Sequence, residues 1–184
     1  IALVSVHEPL FELRNSFTIG RVHQPIDLLD RALRDWFGFA EPRIAVAGIN
    51  PHASEGGQFG DEEQRVIEPA VAMARDSGLN VSGPYPADSL FRRALEGEFD
   101  GVVAMYHDQG LIPLKLVAFG QAVNVTLGLG AIRTSVDHGT AFDIVGKNKA
   151  DAGSMKSAIA LAIDLAKKNA SRPSEALVRG DAAV

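Results

Sequence analysis

Apolar residues along the chain fall into short continuous runs and longer periodic stretches, and the two kinds alternate. Residues 1–6, Ile-Ala-Leu-Val-Ser-Val, read as a buried strand. Further strand-like runs follow at Arg43 to Ala47, at Asn80 to Val81 ahead of Gly83-Pro84-Tyr85-Pro86, and at Gly101 to Met105. Another, Ala122 to Thr126, leads into the glycine-broken Leu127-Gly128-Leu129-Gly130. Between them the period changes. Ile26, Leu28, Leu29, Leu33, Trp36 and Phe37 mark an amphipathic helix from Ile26 to Phe37, with Pro25 at its start. Asp61 to Ser77 reads as a second helix, its N-terminus favoured by Asp61, Glu62 and Glu63 and its end marked by Gly78. Ser89 to Leu95 and residues 152–169 complete the helical set, and the polar residues 171–184 read as a flexible tail.

Strands alternating with helices predict an α/β fold with a mostly parallel sheet flanked by helices. Ligands of such sheets gather beyond the carboxyl ends of the strands. Three segments there share a feature: Ser5-Val6-His7-Glu8-Pro9, Asn50-Pro51-His52 with Gly56-Gly57, and Tyr106-His107-Asp108-Gln109-Gly110 each place a histidine where an apolar run gives way to turn residues. A lone histidine in such a place is more often an ordinary loop or core residue. Three imidazoles at strand ends can instead converge on one divalent metal and leave a position open for substrate.

Composition narrows the choice. With 184 residues, 46% hydrophobic and 22% charged, the chain can bury a real core. A formal charge of -5 argues against nucleic acid as a partner. The absence of cysteine leaves only nitrogen and oxygen ligands for any metal. No apolar stretch reaches membrane-spanning length and no basic-then-apolar leader opens the chain, so a cytoplasmic protein without membrane contact is expected. An apolar strand at the first residue, with no methionine before it, suggests a fragment of a longer protein.

Four longer segments carry a family resemblance: Asn50-Pro51-His52 with Gly56-Gly57, Gly83 to Asp88, Ala104 to Leu111, and Ile132-Arg133-Thr134-Ser135-Val136-Asp137-His138-Gly139-Thr140-Ala141. Together they resemble the 4-hydroxythreonine-4-phosphate dehydrogenase (PdxA) family of vitamin B6 biosynthesis, over about His7 to Lys167. The resemblance implies an isocitrate/isopropylmalate dehydrogenase-like fold whose N-terminal part is missing, so that residues 1–170 are the carboxyl-terminal portion of such an enzyme. It implies a divalent metal, zinc, magnesium or cobalt, held by His7, His52 and His107 and shared across a homodimer. Lys115, Asn124 and Arg133 match residues that hold the phosphorylated substrate, and their types suit an anion and a hydroxyl. Without the resemblance, Arg133 and Lys115 read more simply as surface ion-pair residues.

The segment from Asp137 to Lys147 is similar to the loop that holds the adenosine end of the cofactor in isopropylmalate and isocitrate dehydrogenases. His138, Gly139, Thr140 and Asp143 are therefore the expected contacts for NAD, or for NADP. No Gly-x-Gly-x-x-Gly fingerprint is present, which argues against a Rossmann mode. The implied reaction is a metal-assisted oxidation with decarboxylation of 4-phosphohydroxy-L-threonine. Lys115 is the candidate for proton transfer or anion positioning, and Asp108 for orienting an imidazole. His23 is expected on the surface. The chain departs from the family at Ser5-Val6 and Glu8 around the first histidine, and at Gly130 where proline is common. Two other readings stay open: a dehydrogenase of 4-phosphorylated D-threonate or D-erythronate, and a truncated, non-catalytic metal-binding dimer module.

Overall fold

The computed structural model describes residues 1–170, and the expected flexible tail, 171–184, lies outside the described residues. The chain divides into two compact units, Ile1–Leu114 and Lys115–Val184. In the first, strands β1 (Ala2–Leu3), β2 (Ile44–Ala47), β3 (Val81–Tyr85) and β4 (Gly101–Ala104) form one sheet in the order β1-β4-β2-β3. Every pairing in it is parallel.

Both faces of this sheet are covered, which explains why its inner strands read as continuous apolar runs. All four residues of β2 and all four of β4 are buried. Ile44 and Val46 face a core built with Val22, Ile26, Leu29 and Leu33 of helix α2 (Ile19–Phe37) and with Ala70, Val71 and Ala74 of α3 (Glu68–Asp76). Ala45 and Ala47 point the other way, against Leu90 of α4 (Ala87–Leu95). The alternation along β2 thus puts bulk on one face and small side chains on the other.

Helix α2 corrects the sequence reading. It begins at Ile19, not Ile26, and carries Pro25 in its interior. Thr18 caps it by accepting the Arg21 N–H at 3.3 Å, and Gly38, with φ 79°, ends it. Val22 and Ile26, both fully buried, anchor the helix on either side of the proline. His23, expected on the surface, is half-buried, and its Nε2 is shielded without a hydrogen-bond partner. The predicted helix Asp61 to Ser77 opens with a π-type turn, Glu63–Ile67, before α3. Two helices went unpredicted: the short α1 (Leu13–Ser16) and α5 (His107–Ala118).

Two features lock the sheet. Gly83 sits at φ 123°, and a Cβ there would lie 2.4 Å from the Val46 carbonyl oxygen, so only glycine lets β3 lie this close to β2. Ahead of the strands, Arg43 grips Asp100 through Nε–Oδ2 (2.9 Å) and Nη2–Oδ1 (2.7 Å), while its backbone N–H donates to Oδ2 at 2.8 Å. The Arg43 guanidinium holds the Asp100 carboxyl below its ordinary range. A depressed folded-state value stabilises above the unfolded Asp pKa of about 3.9 and loses that effect as pH falls through the lower folded value. Asp100→Asn is therefore expected to cost up to about 1 kcal/mol at pH 7. In urea melts of the full-length protein the gap to wild type should close in acid, below about pH 4.

The second unit holds an antiparallel pair, β5 (Val123–Val125) and β6 (Thr134–Val136), with α6 (Gly153–Ala170). Ser154, buried at the start of α6, accepts the Asp137 N–H and donates to the Ala122 carbonyl, and Thr134 donates to the Ala158 carbonyl. These bonds fix the hairpin against the helix. Among the described residues no helix is long and apolar enough to cross a membrane.

Candidate active site

β1, β4 and β2 are neighbours in the sheet, and the chain leaves their carboxyl ends into the segments that carry His7, His107 and His52. Parallel strands make this inevitable: all three segments emerge on one edge. His7 and His107 meet there, their ring centroids 5.6 Å apart and tilted by 39°. They line an open cleft of about 450 Å³ formed by residues 5–10 and 106–108.

His107 has a hydrogen-bond partner on its own segment. His107 Nδ1 lies 2.7 Å from Asp108 Oδ1. A carboxylate can only accept, so Nδ1 is the donor, and it is the Nε2 of the neutral ring that is left to ligate, the arrangement that metal-binding imidazoles use. Beside His7, Glu8 receives Arg21 in a two-pronged contact, Nη1–Oε1 3.3 Å and Nη2–Oε2 2.6 Å. Ser16 (2.7 Å) and Ser5 (3.0 Å) also donate to it. Arg21, then Ser16, hold the Glu8 carboxyl down to about 2. This network ties the segment after β1 to α2, and Glu8, one of the departures from the family, is its centre.

His52 lies on a different kind of segment. Residues His52, Ala53, Ser54 and Glu55 all have positive φ (54°, 52°, 65° and 47°), a left-handed turn that costs roughly 1–2 kcal/mol per residue for L-amino acids. Its ring stands edge-on to Phe59 at 6.0 Å and its Nδ1 is 3.5 Å from Glu55 Oε2. It is not among the residues lining the His7–His107 cleft. Among the described residues of one chain no group of three or more histidine, aspartate or glutamate side chains converges as a metal site. One chain brings together two of the three candidate ligands.

Three residues near these segments escaped the sequence reading. Gln109 accepts the Met105 N–H through Oε1 and donates from Nε2 to the Gly48 carbonyl, both at 2.7 Å, and so joins the end of β4 to the end of β2. Glu63, fully buried, accepts the N–H groups of Ile49 and Asn50, each at 2.8 Å. Gly48 is required beneath them: a Cβ would sit 2.9 Å from Ala53 Cα and 3.0 Å from Glu63 Oε1. Arg21 is the third. Glu63 and Arg21 stand more than ten positions from His52 and His7 and leave no local spacing signal, and Gln109 reads only as part of the turn after His107.

In the second unit, Asn124 and Arg133 share one face of the β5–β6 hairpin. Asn124 pairs with Ser135, and Thr126 donates its N–H to the Arg133 carbonyl at 3.0 Å, so positions 124, 126, 133 and 135 point the same way. Both Asn124 and Arg133 are exposed, and Arg133 Nη1 donates to Thr126 Oγ1 at 2.8 Å. Lys115 is half-buried on α5. His138, Gly139, Thr140 and Asp143 are all exposed, His138 Nδ1 lies 3.0 Å from the Gly139 carbonyl oxygen, and a Cβ on Gly139 would meet nothing within 4 Å.

The family described as pyridoxal phosphate biosynthetic protein PdxA matches residues 1–162. The chain belongs to the PdxA family. Among its relatives, the 4-hydroxythreonine-4-phosphate dehydrogenase of Geobacter metallireducens is 53% identical over 167 residues, 91% of this chain and 49% of that protein. The Cupriavidus pinatubonensis enzyme of the same name is 52% identical over 166 residues, covering 90% and 48%. Among solved structures, the 4-hydroxythreonine-4-phosphate dehydrogenase of Klebsiella pneumoniae superposes with a TM-score of 0.81 at 51% identity, over 89% of this chain and 49% of that one. A terephthalate 1,2-cis-dihydrodiol dehydrogenase from Burkholderia xenovorans follows with a TM-score of 0.70 at 36% identity, over 88% and 51%. The chain spans about half the length of these PdxA relatives, and the N-terminal part of the fold is missing from it.

Proposed function

We propose that the protein containing this chain is an NAD-dependent, divalent-metal-assisted dehydrogenase that oxidises and decarboxylates 4-phosphohydroxy-L-threonine in pyridoxal 5'-phosphate biosynthesis. One observation carries the reading: in a chain of this family, His7 and His107 face each other at strand ends with His107 already oriented by Asp108. This donor set suits a divalent cation of the zinc or cobalt kind, since it is all nitrogen and one imidazole is held in the ligating tautomer, whereas magnesium favours oxygen donors. His7, His52 and His107 would hold the ion, with His52 supplied from the other subunit of a homodimer. When bound, the cation would lower the pKa of the substrate hydroxyl and stabilise negative charge on its oxygen.

This chain's own residues do the rest. Arg133 and Asn124, on one hairpin face, bind the phosphate and orient a hydroxyl. Lys115 Nζ takes the hydroxyl proton or holds the substrate anion in place. His138, Gly139, Thr140 and Asp143 would hold the adenosine end of NAD, which when bound would accept the hydride from the hydroxyl-bearing carbon, and the β-keto acid so formed would lose carbon dioxide. The N-terminal half that this chain lacks would contribute to the same site.

A second reading concerns substrate alone. The Burkholderia xenovorans relative carries the name of a dehydrogenase of a cis-dihydrodiol without phosphate, so the scaffold is not tied to one substrate. The full-length protein, given a divalent cation and NAD, should form NADH with 4-phosphohydroxy-L-threonine and much less with 4-phospho-D-threonate or 4-phospho-D-erythronate. A reversed preference would transfer the assignment to the aldonates, and no NADH with any of them would overturn the dehydrogenase reading.

A further inference from the structure

The segment bearing His52 is costly to form, and one buried group faces its start. Four successive non-glycine residues, His52 to Glu55, sit in left-handed backbone, where each loses stability relative to ordinary conformations. Such a turn persists only where its surroundings over-determine it. Within the turn, Ser54 is buried and its carbonyl accepts the Gly57 and Phe59 N–H groups at 3.0 and 3.1 Å. Before the turn, everything converges on Glu63. Its Oε1 accepts two successive backbone N–H groups, Ile49 and Asn50, and its Oε2 accepts Asn50 Nδ2 at 2.9 Å. The second hydrogen of that amide goes to Glu62 Oε2 at 2.7 Å. Glu63 is wholly buried, at the first position of the π-type turn ahead of α3, and all three of its contacts are donors.

We infer that Glu63 is the positioning residue for His52: its carboxyl fixes the backbone two residues before the imidazole and so sets where His52 is presented. The inference rests on the reading of His52 as a metal ligand. Glu63 touches neither His52 nor any substrate, and it acts through Ile49 and Asn50 alone. The alternative, that Glu63 serves only to fasten α3 to the sheet, makes a different prediction, because a purely structural contact affects folding and not ligand affinity.

The amide variant separates the two. In Glu63→Gln the oxygen can still accept Ile49 and Asn50 N–H, but the new NH2 faces the NH2 of Asn50. Turning the Asn50 amide over does not help, since its oxygen would then face Glu62 Oε2. The loop is left with a mismatched pair in either orientation. The test uses the full-length protein with Zn2+ as the probe, its affinity measured by competition with a chromogenic chelator. Backbone hydrogen exchange over residues 49–57 is followed in parallel without metal. His52→Ala is the ligand reference, and Val71→Ala, a cavity in α3, is the stability reference. Glu63→Gln is expected to lose about 10- to 100-fold in Zn2+ affinity, as loss of an outer partner does, and to exchange faster at 49–57. Val71→Ala should melt at least as low, yet bind Zn2+ as wild type does. Wild-type affinity in Glu63→Gln, or an equal loss in Val71→Ala, overturns the proposal. If His52→Ala also binds as wild type, the ligand reading falls and takes the proposal with it; a loss in His52→Ala alone refutes only the role of Glu63.

Discussion

His107→Ala in the full-length protein is expected to abolish tight binding of a divalent cation, losing more than the roughly 10- to 100-fold that an outer-partner substitution costs. His107 opens α5 at the carboxyl end of β4, faces His7 across 5.6 Å, and has its Nε2 left available by the Asp108 contact. Removing the ring would take away a candidate ligand whose direction the Asp108 contact has already set. Asp108→Asn should fall between wild type and His107→Ala, because an amide can still accept from Nδ1 but adds no charge to the ligand. His138→Ala, altering an exposed residue assigned to the cofactor loop, should leave cation affinity unchanged while weakening NAD binding. Chelator competition and NAD titration read the two separately. Equal cation affinity in wild type and His107→Ala would remove the metal from the proposed chemistry.

The second large effect concerns the scaffold. Gly83→Ala is expected to lower the melting temperature by more than about 10 °C or to prevent soluble expression. The new Cβ would have to lie 2.4 Å from the Val46 carbonyl oxygen, and the residue would hold φ 123°. Backbone strain of roughly 1–3 kcal/mol adds to a clash of about the same size, a large part of a typical domain's 5–15 kcal/mol, roughly speaking. The same substitution at Gly20 should have the opposite sign. Gly20 is exposed near the start of α2 with open space around its Cα, and alanine there gains up to about 1 kcal/mol of helix propensity. Thermal melts of the two variants side by side check both directions.

What the sequence showed and what it hid follow from the same physics. β2 and β4 were legible because a strand covered on both faces must be apolar throughout, and each histidine was legible because it stands where such a run stops. Helix α5 was not legible. Its Ile112, Leu116 and Val117 are exposed, and Pro113 interrupts it, so no apolar stripe faces the core. The start of α2 was misplaced because Pro25 resembles a first-turn proline, whereas the cap is Thr18, seven residues earlier. β6 was missed because three half-buried residues give too little alternation to read. Glu63 was visible only as one of three acids suited to a helix N-terminus. It is buried, and the two backbone amides it receives come from a loop thirteen and fourteen residues away.

Gln109 carries a consequence for how such a protein can change over generations. It spans Met105 N–H and the Gly48 carbonyl, two main-chain groups that exist whatever side chains stand at those positions. The gap between the segments bearing His107 and His52 is therefore gauged against backbone, not against the apolar residues beneath. Exchanging valine, isoleucine or leucine in the core leaves both of these main-chain partners in place.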